Sequence, residues 1–90
     1  MSKSFDMEVF LMAVLKGSHA TCRRHILQSK RIQKAIASRW DRGNPWTWQR
    51  KHLAWFVSFY LKSHGASSRY YYLLTVKLIV MRLGKAWLFP

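Results

Sequence analysis

Three short turn signals divide this chain into four segments, and that division constrains the fold more than any other feature. The signals are Gly17-Ser18, residues 41–45 (Asp-Arg-Gly-Asn-Pro) and residues 64–68 (His-Gly-Ala-Ser-Ser). Between them, apolar residues recur at the three- and four-residue spacing of a helix. The sequence therefore predicts one all-α domain over residues 1–90, a small bundle of about four helices at residues 4–16, 19–40, 45–64 and 68–85.

The first segment is apolar on almost every side. Ser4 is the expected N-cap, and Gly17 is the expected stop. Asp6 and Glu8 suit the positive N-terminal end of the helix dipole. A helix that is apolar all round is either buried at the centre of a bundle or paired with another chain. A homodimer through this helix is therefore one hypothesis for a partner.

The second segment has the clearest division into two faces. At 100° per residue, five cations fall within an arc of about 120°, with no acid among them. We name this set the cationic stripe; its members are Arg23, Arg24, Lys30, Arg31 and Lys34. Leu27 lies alone among these cations, while Ile32 and Ile36 lie on the opposite side. Like charges at this spacing destabilise an isolated helix, so we expect a polyanion-facing surface; the alternative is a merely solvated face.

The third segment carries rings and cations in alternation. Asn44 followed by Pro45 predicts its start, and Tyr60 falls within its apolar core stripe. The residues of another flank are Trp48, Lys51, Trp55 and Lys62. Rings beside cations suit stacking on bases while the amines take phosphates. The alternative is that Trp48 and Trp55 simply complete the core, because large aromatic residues are highly buried on average.

The fourth segment contains β-branched residues that would also suit a strand. Thr75, Val76 and Val80 favour a strand over residues 70–81. The polar residues there do not keep the two-residue alternation of a half-exposed strand, so a helix is predicted. The apolar tail, residues 86–90, is expected to fold back onto the bundle.

The composition points to a polyanionic partner. Sixteen Lys and Arg residues stand against three acidic residues, which gives a formal net charge of +13, and five Trp, four Tyr and five Phe accompany them. A compact domain with this imbalance repels itself and attracts polyanions. Half of the residues are hydrophobic, so we expect a folded core. The lone Cys22 excludes an internal disulfide and fits a reducing compartment.

Catalysis is difficult to build from these residues. Asp6 and Glu8 share one predicted helix turn, which leaves no second acid for a paired-carboxylate cleft. The glycines are dispersed and form no phosphate-cradling loop. His19, Cys22 and His25 have helical spacing, but a zinc site normally needs a fourth ligand. We therefore expect no enzymatic activity, no metal and no cofactor.

The longest apolar runs, residues 9–15 and 53–61, are too short to span a bilayer, which takes roughly 18 residues or more. Acidic residues near the start of the chain also oppose a secretory signal. The expected location is the cytoplasm, in association with the nucleoid or with nucleic acid.

The second half of the chain has a recognisable order of short motifs. Lys-Ser-His-Gly closes an aromatic helix at residues 62–65, Ser-Ser-Arg-Tyr opens the next at residues 67–70, and Leu-Gly-Lys-Ala-Trp ends it at residues 83–87. Residues 47–90 resemble the SAM-like core-binding domain of tyrosine recombinases. The resemblance implies a helical bundle that clamps one side of duplex DNA; the nucleophilic tyrosine of that family belongs to another domain. The contact residues it implies are Lys51, Lys62, Arg69, Lys77 and Arg82.

These observations predict a small basic nucleic-acid-binding protein, an accessory or regulatory factor that prefers DNA to RNA and combines phosphate contacts with aromatic stacking. Gln28, Gln33, Asn44 and Gln49 are the few side chains suited to reading base edges, so little sequence specificity is expected. The predicted binding residues are Arg23, Arg24, Lys30, Arg31, Lys34, Trp48, Arg50, Lys51, Trp55, Lys62, Arg69, Lys77 and Arg82. The alternatives are an RNA-binding or ribosome-associated protein, a protein inhibitor, and an amphipathic protein that binds membrane surfaces.

Overall fold

Helices and connecting turns account for the whole of the computed structural model, which describes residues 4–89 and has no β-strand within them. The α-helices are α1 (Met7–Met12), α2 (His19–Trp40), α3 (Arg50–Ser58) and α4 (Ala66–Leu83). Short 3₁₀ helices precede and follow α3 at Pro45–Thr47 and Tyr60–Ser63. The prediction of a small all-α bundle of four helices is confirmed.

Helix α1 is shorter than the predicted helix over residues 4–16. Asp6, not Ser4, is the N-cap, because its carboxylate accepts a hydrogen bond from the Val9 backbone N–H at 3.1 Å. The helix ends at Met12, and the connecting segment packs Val14 and Leu15 against the core. Met7–Met12 buries one face in this chain's own core but leaves Val9 and Met12 more than half exposed. The homodimer through this helix stays a prediction.

Helix α2 has the predicted bounds because both of its ends are capped. The Ser18 hydroxyl accepts a hydrogen bond from the Thr21 backbone N–H at 3.2 Å. At the other end, Asp41 adopts the left-handed conformation with φ 57°, which short polar side chains tolerate, and its N–H bonds to the Ala37 carbonyl. Ile32 and Ile36 are fully buried.

The single helix predicted over residues 45–64 is wrong, because the chain there forms three separate helical pieces. The Asn44 side chain caps the first by accepting from the Trp46 N–H at 3.0 Å. Trp48 then leaves the helical conformation and turns inward, and its Nε1 donates to the Arg42 carbonyl at 2.6 Å. Gln49 starts α3 in a capping box with His52, whose Nδ1 accepts from the Gln49 N–H at 2.8 Å.

Helix α4 begins two residues before the predicted position and ends at Leu83, where Gly84 adopts a left-handed conformation with φ 72°. Val76 and Ile79 are fully buried, so the helix prediction is confirmed over the strand alternative. Beyond it, Trp87 and Phe89 pack against the core, as expected of the tail. Pro90 lies outside the described residues.

A buried polar cluster joins α2 to α4, and periodicity alone did not reveal it. The Thr75 hydroxyl donates to the Gln28 Oε1 at 2.7 Å and lies 2.8 Å from the His25 Nδ1. Since that hydroxyl has one proton, which it gives to Gln28, the His25 Nδ1–H donates to its oxygen. Burial, and then the charge of Arg24, lowers the pKa of His25. The cluster fixes how α2 lies on α4 and so positions the outer surface of α2.

Candidate functional site

The cationic stripe lies on the side of α2 that points away from the core. Arg23, Lys30, Arg31 and Lys34 are exposed, and Arg24 is partly buried. The buried positions of α2 are His25, Gln28, Ser29, Ile32 and Ile36. At 100° per residue these buried positions centre on the side opposite the stripe. The structure therefore keeps the five cations on one surface, as the spacing predicts.

Two arginines of the stripe are braced by consecutive tyrosines of α4. The Arg24 guanidinium lies over the Tyr71 ring, 4.3 Å from its centroid. The Arg31 Nη1 donates to the Tyr72 hydroxyl at 3.4 Å, and this bond raises the pKa of Arg31 above its ordinary value. Such contacts restrict the orientation of the two guanidinium groups. The cationic stripe of α2 is therefore also in contact with α4.

A first groove runs along the N-terminal half of the stripe. We name it the Leu27 groove; it has a volume of about 360 Å³ and is lined by Ala20, Arg23, Arg24, Leu27, Gln28 and Arg31. Leu27 is 48% exposed, as predicted for an apolar residue alone among cations. A neighbouring depression is lined by Glu8 of α1 together with Arg23 and Lys30. One acidic residue therefore lies at the edge of the stripe.

A second groove continues along the C-terminal half of the stripe. We name it the Tyr60 groove; it has a volume of about 380 Å³ and is lined by Arg31, Lys34, Ala35, Ser38 and Tyr60. Arg31 lines both grooves, so they adjoin at its side chain. The prediction that Tyr60 lies in the core is wrong, because α3 ends at Ser58 and the following 3₁₀ turn leaves Tyr60 39% exposed.

Trp48 is not available to stack on a base, and its predicted role is corrected here. Its side chain is only 4% exposed, and its Nε1 bonds to the Arg42 carbonyl. Trp55 is partly buried and meets Trp40 edge to face, with ring centroids 5.1 Å apart. The core alternative therefore describes Trp48, and Trp55 belongs to an aromatic cluster beside the core.

Arg82 and Arg50 are engaged within the chain instead of forming part of the cationic stripe. The Arg82 Nε donates to the Phe10 carbonyl at 2.8 Å, and its guanidinium lies 5.0 Å from the Trp46 ring centroid. Arg82 therefore ties α4 to α1, and its predicted role as a phosphate contact stays a prediction. The Arg50 Nη2 donates to the Leu88 carbonyl at 2.9 Å and so holds the tail.

The remaining predicted cations are exposed but lie on other elements. Lys51 is on α3, Lys62 is in the following 3₁₀ helix, and neither lines the two grooves of the stripe. The same is true of Arg69 and Lys77 on α4. Lys77 instead lines a separate, largely apolar depression that also includes Lys16.

The residues with metal-ligand spacing are not brought together. His25 faces Thr75, while the Cys22 thiol lies 3.8 Å from the Lys16 carbonyl. Within residues 4–89, no group of three His, Cys, Asp or Glu side chains is arranged to hold a metal ion. Among the helices of this same range, none combines the length and the apolar character needed to cross a bilayer.

Comparison of this chain with models of protein families, with curated proteins and with solved structures gave no significant match.

Proposed function

We propose that the protein is a nucleic-acid-binding accessory or regulatory factor, with DNA preferred to RNA, and that the cationic stripe is its interface. The observation that supports this most is the placement of Arg23, Lys30, Arg31 and Lys34 on one exposed side of α2, with Arg24 beside them. The preference for DNA comes from the resemblance of residues 47–90 to a DNA-clamping domain.

The charge of the stripe favours binding to an external polyanion. The chain has sixteen Lys and Arg residues but three acids, so carboxylates within the chain cannot neutralise most of its cations. The stripe extends roughly 16 Å along α2, from Arg23 to Lys34, at 1.5 Å per residue. Phosphates placed along this length would relieve the repulsion between like charges and release counterions.

The structure gives a reason to prefer a polyanion over a membrane surface. A helix that lies in a membrane interface buries its apolar face among the lipids. In α2 that face is already packed in the core, where Ile32 and Ile36 are fully buried. Insertion of α2 into lipid would therefore require the bundle to open.

The strength of binding should depend steeply on salt. If all five cations contact phosphates of a duplex, the logarithm of affinity falls with the logarithm of salt concentration with a slope of about −4.5. Affinity then decreases roughly 500-fold between 50 and 200 mM salt. Fluorescence anisotropy with labelled duplex DNA, single-stranded DNA and structured RNA measures this slope for each class.

A triple variant tests whether the stripe is the interface. We expect Arg23→Ala, Lys30→Ala and Lys34→Ala together to reduce the salt slope by about three, since each lost phosphate contact removes roughly one. Helicity should be retained, because these side chains are exposed.

The matched control replaces three exposed cations outside the stripe, Lys16, Arg39 and Lys85, with Ala and thus removes the same net charge. It should retain most of the salt slope. Equal losses in both triple variants would show that charge acts without a defined surface. Strong binding to anionic vesicles at equal ionic strength, with none to nucleic acid, would overturn the proposal.

A further inference from the structure

The Tyr60 groove combines a fixed aromatic ring with cations on the facing helix. We propose that it holds an unpaired nucleotide, with the base stacked on Tyr60 and adjacent phosphates on Arg31 and Lys34. This inference rests on the proposed function, that the stripe binds nucleic acid, and adds that a single-stranded stretch is preferred to a duplex, in contrast to the duplex DNA that the resemblance of residues 47–90 implies.

Small residues make room for a planar ligand beside Tyr60. Ala35 and Ser38 line the groove together with Arg31, Lys34 and Tyr60. The resulting volume of about 380 Å³ falls within the range of small-molecule sites, about 300–1,000 Å³. A long side chain at either position would fill this space.

The Tyr60 ring is held in place from behind. It stacks on the buried Phe56 ring, with centroids 4.7 Å apart and planes 17° from parallel. Trp55 and His64 lie beside it, with ring centroids 6.4 Å and 5.6 Å away. Phe56 covers one face of the ring, and Tyr60, 39% exposed as a residue, lines the groove. An aromatic ring supported on one face and open to solvent elsewhere suits base stacking.

Such a platform suits an unpaired base better than a base pair. Within a duplex, neighbouring base pairs cover both faces of each base, so a side chain reaches only the base edges in the grooves. Aromatic side chains stack instead on bases that are splayed out of a helix or lie in a single strand. The stripe also offers few groups that read base edges, since Gln28 is buried and bonded to Thr75.

The strand can continue from one groove into the next. Arg31 lines both grooves, so one phosphate bound there would connect two neighbouring sites. In the Leu27 groove, the exposed Leu27 side chain offers apolar contact, and the Arg24 guanidinium is already oriented by Tyr71. These features describe a track for a short run of nucleotides with little sequence preference.

Replacement of Tyr60 is the direct test. Anisotropy titrations of the full-length protein use single-stranded DNA of about 15 nucleotides, RNA of the same sequence, and a blunt-ended duplex without a loop. Tyr60→Ala should weaken single-strand binding about 5- to 150-fold, the range expected for one stacked base. Tyr60→Phe should retain the affinity, and duplex binding should change little in either variant. The two strand types show whether DNA or RNA occupies the track.

A second variant covers the case in which Tyr60→Ala disturbs the packing of Phe56. Ser38→Leu fills the groove from the exposed side of α2 and leaves the stacked pair intact. It should reproduce the loss of single-strand affinity with unchanged thermal stability. Tyr70→Ala is the control, because Tyr70 is 59% exposed and does not line this groove.

The outcomes separate this inference from the proposed function. If Tyr60→Ala and Ser38→Leu both leave single-strand affinity unchanged, or if duplex binds as tightly as single strands, the inference is overturned. The stripe triple variant would then still decide the proposed function. If no nucleic acid binds in a salt-dependent manner, both proposals fail together.

Discussion

Arginines contact aromatic residues in two regions of the molecule, but their guanidinium groups have different roles there. One region is the outer surface of α2; the other is where α1, α4 and the segment around Trp46 meet. Arg24 lies over the Tyr71 ring, and Arg31 donates to the Tyr72 hydroxyl, both tyrosines being on α4. Arg82 lies near the Phe10 and Trp46 rings but also donates to a backbone carbonyl. A ring contact alone therefore does not mark a binding surface. A hydrogen bond to the chain's own backbone indicates a structural role.

The largest expected effect on stability comes from replacing Trp48, which follows the segment around Trp46. Trp48→Ala should lower the free energy of unfolding by about 3–5 kcal/mol, because it empties a buried site and removes the bond to the Arg42 carbonyl. Urea unfolding followed by circular dichroism measures the change. Trp48→Phe keeps most of the volume and should lose less. A change below about 1 kcal/mol for Trp48→Ala would place this ring outside the core.

Arg82 and Arg23 form a matched pair with opposite expected phenotypes. Arg82→Met leaves the Phe10 carbonyl without its partner and should destabilise the fold by about 1.5–3 kcal/mol. Arg23→Met at an exposed position should change stability by no more than about 0.5 kcal/mol. Both variants remove one charge, so chemical unfolding and nucleic-acid titration of each separate the two roles. Greater loss of binding from Arg82→Met in the still-folded protein would remove the distinction.

The smallest expected effect is a dependence of stability on pH, which comes from two buried histidines, His25 on α2 and His52 on α3. Burial, and then the charge of Arg24, lowers the pKa of His25 beneath the stripe. Burial, and then the charges of Arg42 and Lys51, lowers the pKa of His52 near the tryptophans. In the unfolded chain each histidine takes up a proton near pH 6.5, whereas in the folded protein His25 and His52 do so only at a lower pH. Stability should therefore be full above about pH 6.5 and fall as the pH is lowered below it.

Thermal unfolding at pH 7.5 and pH 5.5 measures this dependence. His25→Asn removes one of the two titrating groups, and its amide can still donate to Thr75, so part of the pH dependence should disappear. His52→Asn removes the other titrating group, and its side-chain oxygen can accept from the Gln49 N–H in place of the His52 Nδ1. A stability that is flat or rises toward pH 5.5 would contradict the assignment of both buried histidines as neutral.

The stripe was predictable because α2 is long and capped at both ends by Ser18 and Asp41. Over 22 residues a helical period places side chains reliably. The third segment was not predictable in this way. Its helix breaks at Trp48 and again after Ser58, and each break changes which side chains face outward. Trp48, predicted with Trp55 to stack on bases, is buried, while Tyr60, predicted in the core, is 39% exposed.

The contact of Thr75 with His25 and Gln28 was also beyond sequence reasoning. It joins residues about fifty positions apart, and nothing in the local pattern of α2 or α4 indicates that polar side chains there turn inward. Helix periodicity reports which face is apolar but not which polar residues find partners across an interface.

The contacts of Tyr71 with Arg24 and of Tyr72 with Arg31 should affect the thermodynamics of nucleic-acid binding. A free arginine or lysine side chain loses rotamer entropy worth about 2 kcal/mol when it is immobilised. Arg24 and Arg31 lose part of that freedom during folding, whereas no comparable contact within residues 4–89 holds Lys30 or Lys34. Per unit of charge, the arginines should therefore contribute more to affinity than the lysines, because binding of a ligand costs them less side-chain entropy.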